Sequence, residues 1–189
     1  MKKSVIAVLA LSMMLMASMA SANVIGIFGD EAGTLCSGNM NIPYTYVNIK
    51  FIAVLSDVAS ITAAEFGATN VNLLNTIPTV TWTTTLVIGN IMTPDGVALA
   101  WTTPQPGPIV QMGNIQYFLL AAQPADVKLQ ILPSGAGVLA IVDEVFIQHN
   151  VTGWGFVVNC TVGGQYGACT CLDNIPTQDS SWGAVKSLF

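Results

Sequence analysis

Arginine is absent from this chain of 189 residues, and histidine occurs once, as His149. Charged residues make up only 8% of the sequence, and ten acidic residues outnumber five lysines. A protein this acidic cannot neutralise a run of phosphates, which excludes nucleic acid and anionic membranes as expected partners. Because His149 adjoins the turn residues NVTG, we expect it at the surface or in a turn and not as a catalytic base.

Motifs that carry catalysis are also lacking. The chain has no GxSxG elbow, no HExxH pair and no glycine-rich phosphate loop. Its adjacent acidic pairs, Asp30-Glu31 and Asp143-Glu144, would point to opposite faces of a strand, so neither pair can act on one glycosidic bond. The sequence therefore predicts a protein that is not an enzyme and binds no cofactor. A secreted carbohydrate-active enzyme is the alternative.

Oxygen ligands for a cation occur at two places. Asp30 and Glu31 flank a glycine-containing turn, and Asp173 and Asp179 lie close together near the end of the chain. Neither place matches a full calcium-loop signature. A weak calcium site at either place is an open alternative to solvated turn residues, and no metal site is predicted.

The first 22 residues have the three parts of a secretory signal peptide. Lys2 and Lys3 are followed by the apolar run 5–16, which is shorter than the roughly 20 residues of a membrane-spanning helix, and Ala20-Ser21-Ala22 fits a cleavage site. Removal leaves three lysines against ten acidic residues, a net charge of −7. We expect a secreted protein, periplasmic, extracellular or on the cell surface, without a stable membrane span.

The four cysteines are expected to form disulfides, because thiols oxidise in exported proteins. Zinc would need CxxC pairs or added histidines, which the C-x8-C-x-C spacing lacks. Cys169 and Cys171 are too close to bridge each other without strain. Cys160 should therefore pair with one of them and Cys36 with the other. The favoured pairing is Cys160 with Cys169, closing a glycine-rich hairpin loop, and Cys36 with Cys171.

Residues after position 22 alternate between apolar and polar, as half-buried antiparallel strands do. In residues 126–131 (DVKLQI) the alternation is strict, and in residues 79–89 one face would carry Val80, Trp82, Leu86 and Ile88. Turn signals such as TPDG (93–96) and PQPGP (104–108) separate such segments. About nine strands are predicted, near residues 24–28, 44–55, 61–66, 79–89, 97–101, 115–121, 126–132, 138–148 and 154–160.

This pattern predicts an all-β antiparallel β-sandwich over residues 23–175. Residues 176–189 are predicted to form a separate amphipathic helical tail, in which four apolar residues share one helical face. They are Trp182, Val185, Leu188 and Phe189, the candidate partner-contact residues. Three further tryptophans, Trp82, Trp101 and Trp154, alternate with apolar neighbours and are expected in the core.

Four segments resemble a set of uncharacterised secreted bacterial proteins. These segments are IGIFGDEAGTLC (25–36), ITAAEF (61–66), VDEVFIQ…FVVNC (142–160) and WGAVKSLF (182–189). Proteins of that set begin with IGLY-x-D-x-AGT-x-C and end with W-[GS]-x-[IV]-K-x-[LM]-[YF]. The resemblance implies a sandwich of immunoglobulin-like or cohesin-like type, and it transfers no catalytic residue.

Together these features favour a secreted non-catalytic protein that serves as a binding, adhesion or assembly module. Its expected partner is an unidentified protein or glycan. A self-assembling surface or filament subunit is a further alternative, because apolar strands of low charge pair readily at open sheet edges.

Overall fold

A computed structural model describes residues 23–161 together with Cys169 and Cys171. These residues form thirteen strands and no α-helix, so the predicted all-β class is confirmed and the expected number of about nine strands is too low. The predicted signal peptide (1–22) and helical tail (176–189) lie outside the described residues. The strands are β1 (Val24–Phe28), β2 (Ser37–Gly38), β3 (Tyr46–Val54), β4 (Ser60–Thr69), β5 (Thr76–Trp82), β6 (Leu86–Asn90), β7 (Gly96–Pro106), β8 (Ile109–Leu119), β9 (Val127–Leu132), β10 (Ala140–Asp143), β11 (Gln148–Asn150), β12 (Thr152–Gly153) and β13 (Gly155–Val158).

The strands are arranged in two sheets. The first sheet has the order β12-β1-β3-β8-β5, and the second has the order β11-β10-β4-β9-β13-β2, with β7 paired to β4 and β6 paired to β7. Most pairs are antiparallel, as predicted, but β1 with β12 and β13 with β2 are parallel. These two short parallel pairs bring the beginning and the end of the described chain together.

The core lies between the sheets and is built by alternation along each strand. Ile27 and Phe51 face inward from the first sheet, while Phe66 and Leu99 face inward from the second, and all four are buried in one cluster. The rings of Phe51 and Phe66 meet across the interface with centroids 5.7 Å apart. Two sheets that share one apolar layer form a β-sandwich.

Of the three tryptophans expected in the core, Trp101 and Trp82 pack in or against it, whereas the expectation for Trp154 is wrong because it packs in a separate cluster outside the first sheet. Trp101 is buried and donates a hydrogen bond from Nε1 to the Thr83 hydroxyl at 3.1 Å. Trp82 is partly buried against the core, with its ring 5.2 Å from that of Phe51. Trp154 packs on the outer side of the first sheet, against Phe28.

Two disulfides, Cys36–Cys171 and Cys160–Cys169, are present, so the expected disulfide bonding is confirmed. The first closes a sequence separation of 135 residues and the second a separation of 9. Cys36 and Cys171 belong to a cluster with Phe28 and Ile52, which lie on the face of β1 and β3 opposite to the core. The longer link therefore fastens the chain to the outside of the first sheet.

The interpretation of residues 79–89 as one strand is wrong. Strand β5 ends at Trp82 in the first sheet, and β6 begins at Leu86 in the second. The Thr83 amide donates to the Met112 carbonyl at 2.9 Å in the first sheet, whereas the Thr84 hydroxyl donates to the Ala100 carbonyl in the second. Because the chain changes sheets between these threonines, Leu86 and Ile88 point outward.

The segment 138–148 is likewise two strands and not one. Strands β10 and β11 form a hairpin whose connecting loop is residues 144–147, although this loop is as apolar as a strand. The loop turns because Phe146 adopts a φ of +64° and because the Asp143 carboxylate accepts hydrogen bonds from its backbone.

A candidate docking site on the second sheet

The outer face of the second sheet carries two rows of cross-strand neighbours, formed where β6, β7, β4 and β10 lie side by side. Small side chains occupy most positions on β7, β4 and β10. The first row is Leu86, Ala100, Ala63, Val142 and Gln148, and the second is Ile88, Ala98, Glu65 and Ala140.

These rows form a shallow apolar depression, which we call the alanine trough. Its floor is Ala63, Ala98, Ala100 and Ala140, and its volume is about 450 Å³. Leu86 and Ile88 form one wall, and their side chains are 52% and 78% exposed. The opposite wall is Val138 and Val142. Exposed contiguous apolar surface of this kind marks interaction sites in soluble proteins.

Alternation in the sequence explains the floor. In β4 and β7 the large apolar residues point into the core, for example Phe66 and Leu99, while the positions between them are mostly alanine. An alanine side chain ends at Cβ, so the sheet backbone lies near the surface of the trough. The inner face of these strands is thus well packed, whereas the side chains of the outer face are too small to cover the sheet backbone.

One carboxylate interrupts the apolar floor. Glu65 stands between Ala98 and Ala140 in the second row, and the Ser134 hydroxyl donates a hydrogen bond to its Oε1 at 2.6 Å. The hydrogen bond fixes one carboxylate oxygen, and a carboxylate has acceptor capacity beyond one bond. The trough therefore combines apolar walls with a single negative charge.

The β10–β11 loop extends from the end of the trough where Val142 pairs with Gln148. It exposes three apolar side chains in succession, and Phe146 is 80% exposed. They are Val145, Phe146 and Ile147. Apolar surface of the hairpin is thus continuous with one end of the trough, which enlarges the surface available to a partner.

Asp143 holds this loop in place. Its Oδ1 accepts hydrogen bonds from the amides of Val145 and Ile147 at 3.0 and 2.8 Å, and its Oδ2 lies 2.9 Å from Nε2 of His149. The hydrogen bond with His149 lowers the pKa of the Asp143 carboxyl most, burial opposes it, and the loop amides lower the pKa further. His149, expected at the surface or in a turn, is half-buried in β11 and supports the loop.

The other predicted acidic sites are engaged in local structure. The Thr34 hydroxyl and the amides of Thr34 and Leu35 donate hydrogen bonds to Asp30. Burial raises the pKa of Asp30, but these hydrogen bonds together outweigh burial and lower it. Glu31 forms an ion pair with Lys50 at 3.5 Å, and the Ser60 hydroxyl donates to Glu144.

The candidate calcium sites differ in what the structure describes. Asp30 and Glu31 are committed to the contacts above, while Asp173 and Asp179 lie outside the described residues. Within residues 23–161, Cys169 and Cys171, no three His, Cys, Asp or Glu side chains are grouped so that they could hold a metal ion.

A second exposed surface lies on the outer face of the first sheet. Tyr46, Phe118 and Ile77 are cross-strand neighbours there, and the rings of Tyr46 and Phe118 are 5.0 Å apart. The next row is polar, and Gln116 donates a hydrogen bond from Nε2 to Oδ1 of Asn48 at 3.2 Å. This surface pairs aromatic rings with side-chain amides.

The alanine trough is not predicted from the sequence. The only indication in the sequence is alanine at alternating positions of the strands, namely Ala98 and Ala100 in β7, Ala63 in β4 and Ala140 in β10. It was hidden because alanine is equally common in strand interiors and on surfaces. The predicted contact residues Trp182, Val185, Leu188 and Phe189 lie outside the described residues.

Comparison with known proteins finds structural likeness only, because no family model and no curated protein matches the sequence. The sixth cohesin of Acetivibrio cellulolyticus scaffoldin B, in complex with a Cel5 dockerin variant, is 14% identical over 74% of this chain and 99% of its own, with a TM-score of 0.48. The cohesin module of a Clostridium perfringens family 33 glycoside hydrolase is 7% identical over 74% of this chain and 98% of its own, with a TM-score of 0.46. The cohesin CaCohA2 of Clostridium acetobutylicum is 12% identical over 78% of this chain and 93% of its own, with a TM-score of 0.44.

These structural neighbours are cohesin modules. The β-sandwich assignment rests on the strand pairing and the shared core of this chain. The resemblance to secreted bacterial proteins with common start and tail motifs stays a prediction. Among the described residues, no helix has the length and apolar character needed to cross a membrane.

Proposed function

We propose that this protein is an exported, non-catalytic binding module, and that the alanine trough is its docking site for a protein segment. The observation that supports this most is the pairing of a four-alanine floor with exposed walls at Leu86 and Ile88. Apolar side chains that are this exposed lower the solubility of a protein unless another molecule covers them. Export follows from the predicted signal peptide (1–22) and agrees with the two disulfides.

The dimensions of the trough fit one α-helix. Three strand spacings separate β6 from β10, which at about 4.8 Å each gives a width of roughly 14 Å. An α-helix with side chains is about 10–12 Å across. Because the floor is alanine, a helix axis could approach the sheet more closely than it could over larger side chains. We therefore infer that the ligand is an amphipathic helix.

The charge of the trough specifies the ligand further. Glu65 is the only charged residue among those that line it in the described part of the chain. A cationic side chain beside an apolar stripe would satisfy this carboxylate, whereas an acidic side chain at that position would be repelled. The proposed ligand is therefore an apolar helix with a lysine or arginine at the edge of its stripe.

The experiment uses chain 23–189, the form without the predicted signal peptide, and a designed amphipathic helical peptide with one central lysine. We expect this peptide to shift the NMR amide signals of Ala63, Glu65, Ala98 and Ala100. A peptide with glutamate in place of the lysine should bind about tenfold more weakly, the loss expected when a charge-assisted hydrogen bond is removed.

Two variants locate the binding site. Ala100→Phe fills the trough and should abolish the shifts, whereas Thr79→Phe places the same ring on the exposed outer face of the first sheet and should leave them unchanged. Circular dichroism verifies that both variants fold. Peptide shifts that survive in Ala100→Phe, or that map to the first sheet, would overturn the proposal.

A second candidate function is glycan binding on the first sheet. The exposed rings of Tyr46 and Phe118 beside the Asn48–Gln116 amides offer both a stacking platform and hydrogen-bonding groups for sugar hydroxyls. A glycan array should then show binding that is lost in Tyr46→Ala and kept in Ala100→Phe. An array without signal, or one in which Tyr46→Ala binds normally, removes this candidate. Release of reducing sugar by the wild-type protein would support the enzyme alternative.

A further inference from the structure

We propose that the helix received by the alanine trough is residues 182–189 of a second copy of this chain. The inference rests on the proposed function, because it names the partner of the same site. It makes the protein a self-assembling subunit in which each copy contributes a docking surface and a docking segment.

The composition of the segment matches the demands of the trough. On a helix, Trp182, Val185 and Phe189 fall within one 60° sector, and Lys186 lies next to Trp182 at the border of that sector. The segment thus supplies an apolar stripe with one cation at its edge. The apolar stripe would contact the walls of the trough, and the cation would contact Glu65.

Charge complementarity singles out Lys186. After removal of residues 1–22 the chain keeps three lysines, and Lys50 is paired with Glu31 at 3.5 Å. Lys128 lies within strand β9 of the folded sandwich, opposite Val157 of β13. Lys186 is the remaining lysine and belongs to the docking segment, and Glu65 is a carboxylate placed in an apolar surface.

The position of Cys171 favours a second copy over the same chain. Its disulfide with Cys36 places it on the outer face of the first sheet, whereas the trough is on the outer face of the second. The ten residues 172–181 span at most about 35 Å when fully extended. In the same chain they would have to go around an edge of the sandwich, past two sheets packed about 10 Å apart and the side chains outside them. A neighbouring copy imposes no such path.

The geometry of assembly follows from these positions. Cys171, the last described residue before the docking segment, lies on one face, and the trough opens on the opposite face, so we expect contacts between copies to be head-to-tail. Head-to-tail contacts form a ring if the rotation closes, and an open filament if it does not. The wild-type chain 23–189 should therefore grow with concentration beyond a dimer.

Complementation of two defective chains tests the proposal. The Ala100→Phe chain keeps its tail but has a filled trough, while chain 23–177 keeps its trough but lacks the tail. Each alone should sediment as a monomer, and an equimolar mixture should form a 1:1 heterodimer and nothing larger. A mixture that stays monomeric, or a chain 23–177 that assembles alone, overturns the proposal.

Charge reversal tests the Glu65–Lys186 contact. Glu65→Lys and Lys186→Glu should each weaken assembly about tenfold, as expected for loss of a charge-assisted hydrogen bond, and the double variant should recover it. Lys128→Glu is the matched control and should assemble like wild type. If Glu65→Lys does not fold, Glu65→Gln takes its place. The Glu65→Gln chain is then compared with and without Lys186→Glu, and Lys186→Glu should weaken assembly less in this chain than in wild type. No recovery in the double variant, with both single variants folded, contradicts the contact.

The peptide 178–189 separates the two proposals. If it shifts the amides of Ala63 and Ala98 in chain 23–177, both proposals stand. If the designed lysine helix shifts them and the peptide 178–189 does not, only the choice of occupant is wrong. If neither peptide binds, the docking function fails as well. The NMR signals of the trough amides can also be compared between chain 23–189 and chain 23–177. If they differ by an amount that does not depend on protein concentration, the tail binds within its own chain, which would overturn the second-copy proposal.

Discussion

The Tyr117 hydroxyl donates a hydrogen bond to the backbone carbonyl of Val71 at 2.6 Å inside the core. Tyr117 is fully buried in β8, and Val71 follows directly after β4 and Asn70. The contact thus connects β8, an interior strand of the first sheet, with a segment leaving the second sheet. Burial raises the pKa of the Tyr117 phenol far above its usual value, so the hydroxyl remains a donor at alkaline pH.

Replacement of Tyr117 by phenylalanine should therefore destabilise the protein by about 1–3 kcal/mol, because the buried Val71 carbonyl loses its partner. Urea unfolding monitored by tryptophan fluorescence measures the change. Tyr46→Phe, on the exposed face of β3, is the matched control and should change the free energy of unfolding by less than about 0.5 kcal/mol. Equal effects of the two variants would contradict the importance of the hydrogen bond.

The two disulfides should differ in their contribution to stability. In the chain-entropy model, a closed loop of 135 residues stabilises by about 5 kcal/mol and a loop of 9 residues by about 2.5 kcal/mol. The double variant Cys36→Ala/Cys171→Ala should therefore unfold at lower urea concentration than Cys160→Ala/Cys169→Ala. The prediction fails if the order of the two unfolding midpoints is reversed.

Two glycines with positive φ provide a test of close backbone packing. Gly96 has a φ of +76°, and a Cβ there would lie 2.5 Å from the Phe66 carbonyl oxygen. Gly137 has a φ of +79°, and a Cβ there would meet nothing within 4 Å. Gly137→Ala should cost about 1–2 kcal/mol from backbone strain alone. Gly96→Ala should cost more, which thermal unfolding of the two variants will compare.

At acid pH, the hydrogen bonds that Asp143 accepts from the β10–β11 loop should weaken. Because the folded pKa of Asp143 lies below its ordinary value of about 3.9, its stabilising effect is present above that value. The effect is lost as pH falls through the ordinary pKa and then through the folded pKa. Hydrogen exchange at the amides of Val145 and Ile147 should therefore accelerate below about pH 4, beyond the intrinsic pH dependence of exchange.

Asp143→Asn is the control for this prediction, because it removes the charge and keeps an oxygen acceptor. Its loop amides should be less protected at neutral pH, and their protection should change little on acidification. A wild-type loop that keeps its protection at about pH 2 would show that the carboxylate does not hold the hairpin.

Much of the sandwich could be predicted from alternation alone. Residues 24–28 form β1 with the expected bounds, and the strict alternation of 126–131 marks β9 within one residue. The turn signals also worked where their geometry is local. In TPDG, for example, the Gly96 amide donates to the Thr93 carbonyl at 3.1 Å. Period-two burial is a property of each strand by itself, and so it can be recognised without knowledge of the partner strands.

Sheet membership could not be predicted in the same way. Thr83 and Thr84 suit either sheet, and only their distant partners, Met112 and Ala100, determine that the chain crosses between them. The loop 144–147 was similarly missed, because its apolar side chains resemble a strand and its turn depends on hydrogen bonds to Asp143. The alanine trough cannot be predicted for a related reason, because it is assembled from four strands, none of which has an unusual sequence by itself.

The Cys36–Cys171 bond also determines how the protein would behave under tension. A pulling force applied between Asn23 and Cys171 would pass through β1 and the loop to Cys36, and then directly across the sulfurs. The residues between the two cysteines, separated by 135 positions, would carry none of that load. Chemical reduction would add roughly 450 Å of contour length between Asn23 and Cys171 once the domain unravelled.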